Sequence, residues 1–216
     1  MDLQTFTELG SGLFVSLEIF FLTLLFSLPL GMVVAFGRMS KKRILSAVTK
    51  FYISVMRGTP LMLQLIVVYF GPYYLFRIRV GADYRFIAVI LAFVLNYAAY
   101  FAEIYRSGLQ AMPKGQYEAA KVLGYSKTQT FFHIILPQLI KQVLPAVTNE
   151  IITLVKDTSL AFAIAVAEMF TIAKQLAAAQ ATIVPLMIAG LYYYVFNLIV
   201  SFVMERIEKH YAYYRN

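Results

Sequence analysis

Asn96, Tyr100 and Glu103 stand at i, i+4 and i+7 of a long apolar run, so a helix places all three on one face. Glu150, beside Asn149, lies inside a second apolar run. Arg57 and Thr59 lie inside a third, immediately before Pro60. A charged side chain at membrane depth costs several kcal/mol, about 3 on insertion scales, and such groups face protein or water rather than lipid. Their chemistry is recognition: a carboxylate meets an ammonium or guanidinium, a guanidinium meets a carboxylate, and an amide or phenol orients the ligand. A further candidate set is Lys156, Thr158, Ser159 and Leu160 in the stretch LVKDTSLAF, 11 to 15 positions past Pro145. A charged, hydroxyl-rich break there falls near mid-membrane, where only backbone facing protein or a water-filled cavity is tolerated, and broken helices in transporters present such groups to their cargo.

Each group also has a structural reading. Arg57 could pair with Glu103 or Glu150 simply to lock helices together; Arg57 and Glu103 both fall about a third of the way in from one side, at about 1.5 Å per residue. Asn96 could bond a neighbouring helix for about 1 kcal/mol. Lys156 could merely solvate a helix end. Glu168 and Lys174 read as surface residues.

Other chemistry has no foothold. The chain has no cysteine, hence no thiolate. It has no G-x-x-x-x-G-K-[ST] loop for nucleotide phosphates and no H-E-x-x-H or G-x-S-x-G. His133 and His210 are isolated in sequence. The expectation is a chain that is no enzyme and holds no metal or cofactor.

The elements that must position these groups are membrane helices. The chain is 61% hydrophobic and 14% charged, with mean hydropathy +0.71, and its apolar runs exceed the roughly 18 residues a span needs. The runs predict an all-α membrane protein with five segments in one domain covering residues 1–216: Leu13–Gly37, Phe51–Phe76, Phe86–Gly108, a broken fourth of Leu139–Val155 then Leu160–Ile172, and Ile183–Glu205. The first reads as a retained helix, since no basic region precedes it and no small-residue cleavage site follows. The net charge of +8 is distributed as membrane loops, which argues against nucleic acid. Arg38, Lys41, Lys42, Arg43 and Lys50 follow the first segment; Arg106, Lys114, Lys121, Lys127 and Lys141 follow the third; the N-terminus offers only Asp2 and Glu8. The positive-inside rule then puts the N-terminus outside and the C-terminal tail, with Arg206, Lys209 and Arg215, in the cytoplasm. Arg77, Arg79 and Arg85 run against that pattern in one outer loop.

Residues 112–137 break the apolar character. Tyr117, Ala120 and Leu123 share a helix face, Gly124 is a natural helix stop, and Ser126 with Gln129 has the form of a capping box. Leu136, before Pro137, is expected outside helix, with Pro137 opening the next one. On periodicity alone this is an amphipathic pair that could lie on the membrane surface.

The spacing Glu118-Ala119-Ala120, three residues, Gly124, nine residues, Ile134, one residue, Leu136-Pro137 matches the EAA motif of ABC importer permeases. MPKGQYEAA, RGTPLMLQL (Arg57–Leu65), YAAYFAEIYRSGLQ (Tyr97–Gln110) and KDTSL (Lys156–Leu160) resemble the polar amino acid branch of that superfamily, whose members carry histidine, arginine, glutamine and glutamate. The blocks spread over most of the chain. The resemblance implies a permease of the bacterial cytoplasmic membrane whose coupling helix, with Gly115, Glu118, Ala119, Ala120, Gly124 and Pro137, docks on a separate ATPase dimer. ATP and Mg belong to that partner. It also implies an extracytoplasmic binding protein and a second permease copy, here expected to be identical, in contact with lipid. It favours the cavity reading for Lys156, Thr158, Ser159 and Leu160. Two acids at membrane depth suggest a cationic amino acid, with glutamine or glutamate as the alternative. An ion-coupled transporter or channel, or a membrane scaffold for cytoplasmic proteins, would have no use for the coupling motif or for the buried polar face, respectively.

Overall fold

A computed structural model describes residues 3–81 and 83–211; Asp2 and Arg215, used above for orientation, lie outside the described residues. All regular structure among the described residues is helical: α1 (Leu3–Arg38), α2 (Arg43–Gly58), α3 (Leu61–Phe76), α4 (Tyr84–Ala111), α5 (Lys114–Val122), α6 (Lys127–Gln129), a π segment (Thr130–Ile135), α7 (Leu136–Asp157), a 3₁₀ segment (Thr158–Ile164), α8 (Met169–Ala179) and α9 (Val184–Tyr211). Four helical stretches are long and apolar enough to cross a membrane, and α2 with α3 make a fifth if the bent pair counts as one span. This all-helical arrangement of four to five spans agrees with the expected class.

The core is built on α4. Phe93, Tyr97 and Phe101 are its largest fully buried side chains, and Ala88, Ala92, Ala98, Ala99 and Ala102 let neighbouring backbones approach. Its longest partner is α1, at a contact so close that a Cβ on Gly31 would sit 2.8 Å from the Phe101 Cβ.

Two expected segments differ in form. Phe51–Phe76 is not one straight helix: α2 and α3 are bent by 110° at Thr59 (φ −124°, ψ 148°) and Pro60. Proline drives the residue before it into extended backbone and cannot donate to the preceding turn. Conversely, Leu136 is helical (φ −59°, ψ −44°), so the expected break before Pro137 is absent. The chain runs as one helical span from Lys127 to Ile164. The π segment makes this possible: the Leu136 N–H donates five residues back to the Phe131 carbonyl, and the widened turn accommodates a ring that an α-turn would exclude.

The second half of the broken segment also differs. After the 3₁₀ segment and Ala165 in left-handed backbone (φ 57°), Glu168 caps a new helix, α8, which extends beyond the expected Ile172. Glu168, expected at the surface, is fully buried. Its carboxylate accepts the Phe170 N–H (2.7 Å), the Thr171 N–H (2.7 Å), the Thr171 hydroxyl (2.8 Å) and the Tyr193 hydroxyl (3.0 Å). A charge is tolerated there because four donors and a helix N-terminus answer it. Lys174 is exposed as expected, above the Phe162 ring.

Two stability outcomes follow. Glu168→Ala leaves two backbone N–H groups and the Tyr193 hydroxyl without their acceptor, at a cost of about 3 kcal/mol; thermal melts of the detergent-purified chain should show a large drop, and Glu168→Gln, which keeps one oxygen, a smaller one. At Gly12 a Cβ would lie 2.7 Å from the Met169 Cα, whereas at Gly10 it meets nothing within 4 Å. Gly12→Ala should therefore lose about 1–3 kcal/mol, and Gly10→Ala should melt like the parent chain.

Candidate functional site

A cavity of about 340 Å³ opens between the end of α2 and the facing sides of α4 and α7, lined among others by Arg57, Tyr100, Glu103, Ser107, Gln142 and Glu150. Four of the ten cavity candidates read from sequence thus meet in one place. Tyr100, Glu103 and Ser107 come from one α4 face at spacings of three and four. Arg57 is carried in by the last turn of α2, and Glu150 by α7. A larger space of about 440 Å³ between α7 and α9 holds none of the predicted residues.

The charges are arranged differently from either expected pair. The Arg57 guanidinium lies 5.2 Å from the centre of the Tyr100 ring, a cation–π contact. Glu103 pairs with Arg106, one turn on in the same helix: Arg106 Nε donates to Glu103 Oε2 at 3.0 Å and Nη2 donates to Oε1. Among the described residues Glu150, half-buried, makes no ion pair. The lining therefore offers one guanidinium set on an aromatic face and one carboxylate outside ion-pair distance of it, complementary to the two charged ends of an amino acid.

The other candidates lie elsewhere. Asn96 is buried and donates to the Met56 carbonyl and to Gln64 Oε1, both at 3.0 Å. Gln64 in turn donates to the Met56 carbonyl (2.9 Å), the Thr59 carbonyl (3.1 Å) and the Thr59 hydroxyl (2.8 Å). Asn96 and Thr59 thus belong to a polar clamp that satisfies the carbonyls freed at the α2–α3 bend, with Gln64 as a member that the sequence reading passed over.

At the α7 break, Thr158 is fully buried and its hydroxyl donates to the Val155 carbonyl at 2.9 Å. Ser159 donates to the Lys156 carbonyl at 2.7 Å. The backbone N–H groups at the cap donate to the Leu154 and Lys156 carbonyls, so the break does not hold out free donors in this structure. Leu160 packs against the core, and Lys156 is exposed. A contact missed from sequence ties the break to α4: the Tyr97 hydroxyl donates to Asp157 Oδ2 at 2.7 Å. Both residues stand in the motif blocks quoted above, but 60 positions apart, beyond any local spacing rule.

The α5–α6 pair matches its local signals. Gly124 takes φ +79°, the left-handed conformation that ends α5. The capping box at Ser126 and Gln129 is formed in both directions. Ala120 is buried, while Gly115, Glu118 and Ala119 are exposed. Tyr117, Val122 (88% exposed), Leu123 (72%), Tyr125 and Phe132 remain uncovered. A soluble-looking helix pair with that much open apolar surface has the character of an interaction site.

The model of the family described as the binding-protein-dependent transport system inner membrane component matches residues 27–213. The arginine transport system permease protein ArtQ of Bacillus subtilis is 39% identical over 92% of this chain and 90% of its own length. A putative glutamine transport system permease protein GlnP of Rickettsia conorii is 34% identical over 92% and 90%. Among solved structures, a crystal structure of an amino acid ABC transporter with histidines superposes with a TM-score of 0.85 at 32% identity, covering 96% of this chain and 95% of that one. With a family match over most of its length and relatives this similar end to end, the chain belongs to the binding-protein-dependent transport family: it is an amino acid ABC transporter permease, a multi-pass inner-membrane transport subunit and not an enzyme.

Proposed function

We propose that the cavity between α2, α4 and α7 is where this permease holds its amino acid during import. The observation that carries the reading is the convergence of Arg57, Tyr100, Glu103 and Glu150 on one space. Arg57 takes the α-carboxylate and Glu150 the α-ammonium. Both partners then lose an uncompensated charge at membrane depth, which offsets the desolvation of the ligand. Glu103, although paired with Arg106, also lines the space, and a cationic side chain that engages it makes the ligand arginine, lysine or histidine. Relatives named for arginine and for glutamine support the polar class as a whole.

In this reading the N-terminus is outside and the C-terminus cytoplasmic, so the α5–α6 pair projects into the cytoplasm. Its uncovered apolar tip, with Gly115, Glu118, Ala119, Ala120, Gly124 and Pro137, docks on a separate ATPase dimer that carries the ATP and Mg; no cofactor belongs to this chain. A binding protein delivers the amino acid at the outer face, and a second copy of the chain completes the pathway. An ion-coupled transporter would leave the exposed pair without a use.

Two outcomes test this. Glu150→Gln and Arg57→Gln in the reconstituted complex should each weaken amino acid uptake roughly 30-fold, the effect of about 2 kcal/mol at one charge contact; uptake at unchanged apparent affinity in both would remove the cavity. Gly124→Val, which strains left-handed backbone, and Glu118→Lys should lower transport-linked ATP hydrolysis while membrane insertion persists. The chain alone in liposomes should show no uphill uptake.

A further inference from the structure

Both carboxylates that face the cavity come from helices, but only one of them is open to a ligand. Arg106 spends its fork on Glu103, with Nε and Nη2 on the two carboxylate oxygens, and its remaining Nη1 donates to Gln110 Oε1. All three contacts lie on one stripe of α4, at i−3 and i+4 from Arg106, so the guanidinium is braced in place without help from another helix. Both side chains of the pair are about three-quarters shielded, 24% and 26% exposed, and a bidentate Arg–carboxylate contact at that depth is stronger than an exposed one. Arg106 itself is not in the cavity lining, whereas Glu103 is. Without Arg106 the lining holds one guanidinium, on Arg57, against two carboxylates, on Glu103 and Glu150. With it the charges balance.

We propose that Arg106 is a specificity-determining residue: it stands at Glu103 in the place that a cationic substrate side chain would take, and so sets how strongly the cavity distinguishes cationic from neutral amino acids. The inference rests on the cavity reading above. A guanidinium or ammonium on the ligand must share Glu103 with Arg106 or displace it toward Gln110. A neutral side chain of the same shape has no such competitor. Arg106 therefore lowers the advantage of a cationic ligand without touching the groups that hold the α-carboxylate and α-ammonium.

Arginine and citrulline isolate this effect, because they share a shape and differ in the charge of the terminal group. Their equilibrium binding is measured on the assembled permease–ATPase complex in nanodiscs with no binding protein, so that delivery does not select between them. Arg106→Gln should tighten arginine about tenfold relative to citrulline, the effect of roughly 1.4 kcal/mol at one charge contact. Arg106→Lys, which keeps the charge, should leave the ratio within about twofold of the parent, since a factor of two is only roughly 0.4 kcal/mol. Glu103→Gln combined with Arg106→Gln should erase the gain. An arginine-to-citrulline ratio that does not move in Arg106→Gln overturns the proposal while leaving the cavity in place. If binding of both ligands instead survives Arg57→Gln and Glu150→Gln together, the cavity reading fails, and this inference with it.

Discussion

In lipid, a backbone group that loses its helical partner has no water to turn to, and this chain leaves α-helix within apolar sequence at Thr59–Pro60 and again at Asp157. The arrangement of everything else follows from how those breaks are closed. At Thr59–Pro60, Gln64 and Asn96 supply the missing donors from α3 and α4. At Asp157, a 3₁₀ segment and the Thr158 and Ser159 hydroxyls turn back on the preceding carbonyls, and Tyr97 holds the aspartate. Both closures anchor on α4. The same helix carries the cavity, one to two turns beyond Asn96.

The closures also separate two kinds of polar residue that look alike in sequence. Asn96, Tyr100 and Glu103 share a helical face, yet Asn96 is consumed by the bend, while Tyr100 and Glu103, one and two turns further on, reach open space. A face is defined by angle alone; what stands opposite each level of it is set by other helices. Periodicity therefore put all three on one side of α4 and could not say where along it the closure of the bend gives way to the cavity.

What was legible from sequence was local. The Gly124 stop, the Ser126–Gln129 box and the apolar spans depend on neighbours within one or two turns, and these held. The 110° bend and the continuous passage through Pro137 went the other way from expectation, although proline marks both. At Pro60 the preceding residue went extended; at Pro137 a π turn absorbed the ring. The choice depends on what else satisfies the freed carbonyls, and at Pro60 that is Asn96, 40 residues from its acceptor. Glu168 was misplaced for the same reason: its fourth donor, Tyr193, comes from 25 residues away. Arg106 was the exception. Its spacing of three from Glu103 is a local signal, and the pair forms within one helix rather than between two.

The π segment carries a mechanical consequence. Because Pro137 does not interrupt the chain, Lys127 to Ile164 is a single helical span of 38 residues, about 57 Å at 1.5 Å per residue, with the turn after α5 at one end and Glu150 some 35 Å along it. No loop lies between them to take up slack. Arg57 and Glu103 ride on other helices, α2 and α4. In the coupling reading proposed above, a push at the α5–α6 pair arrives as a relative displacement of the cavity wall on α7 against those on α2 and α4. In that reading the same geometry works in reverse: a ligand that draws Glu150 toward Arg57 tilts the span and moves the α5–α6 pair.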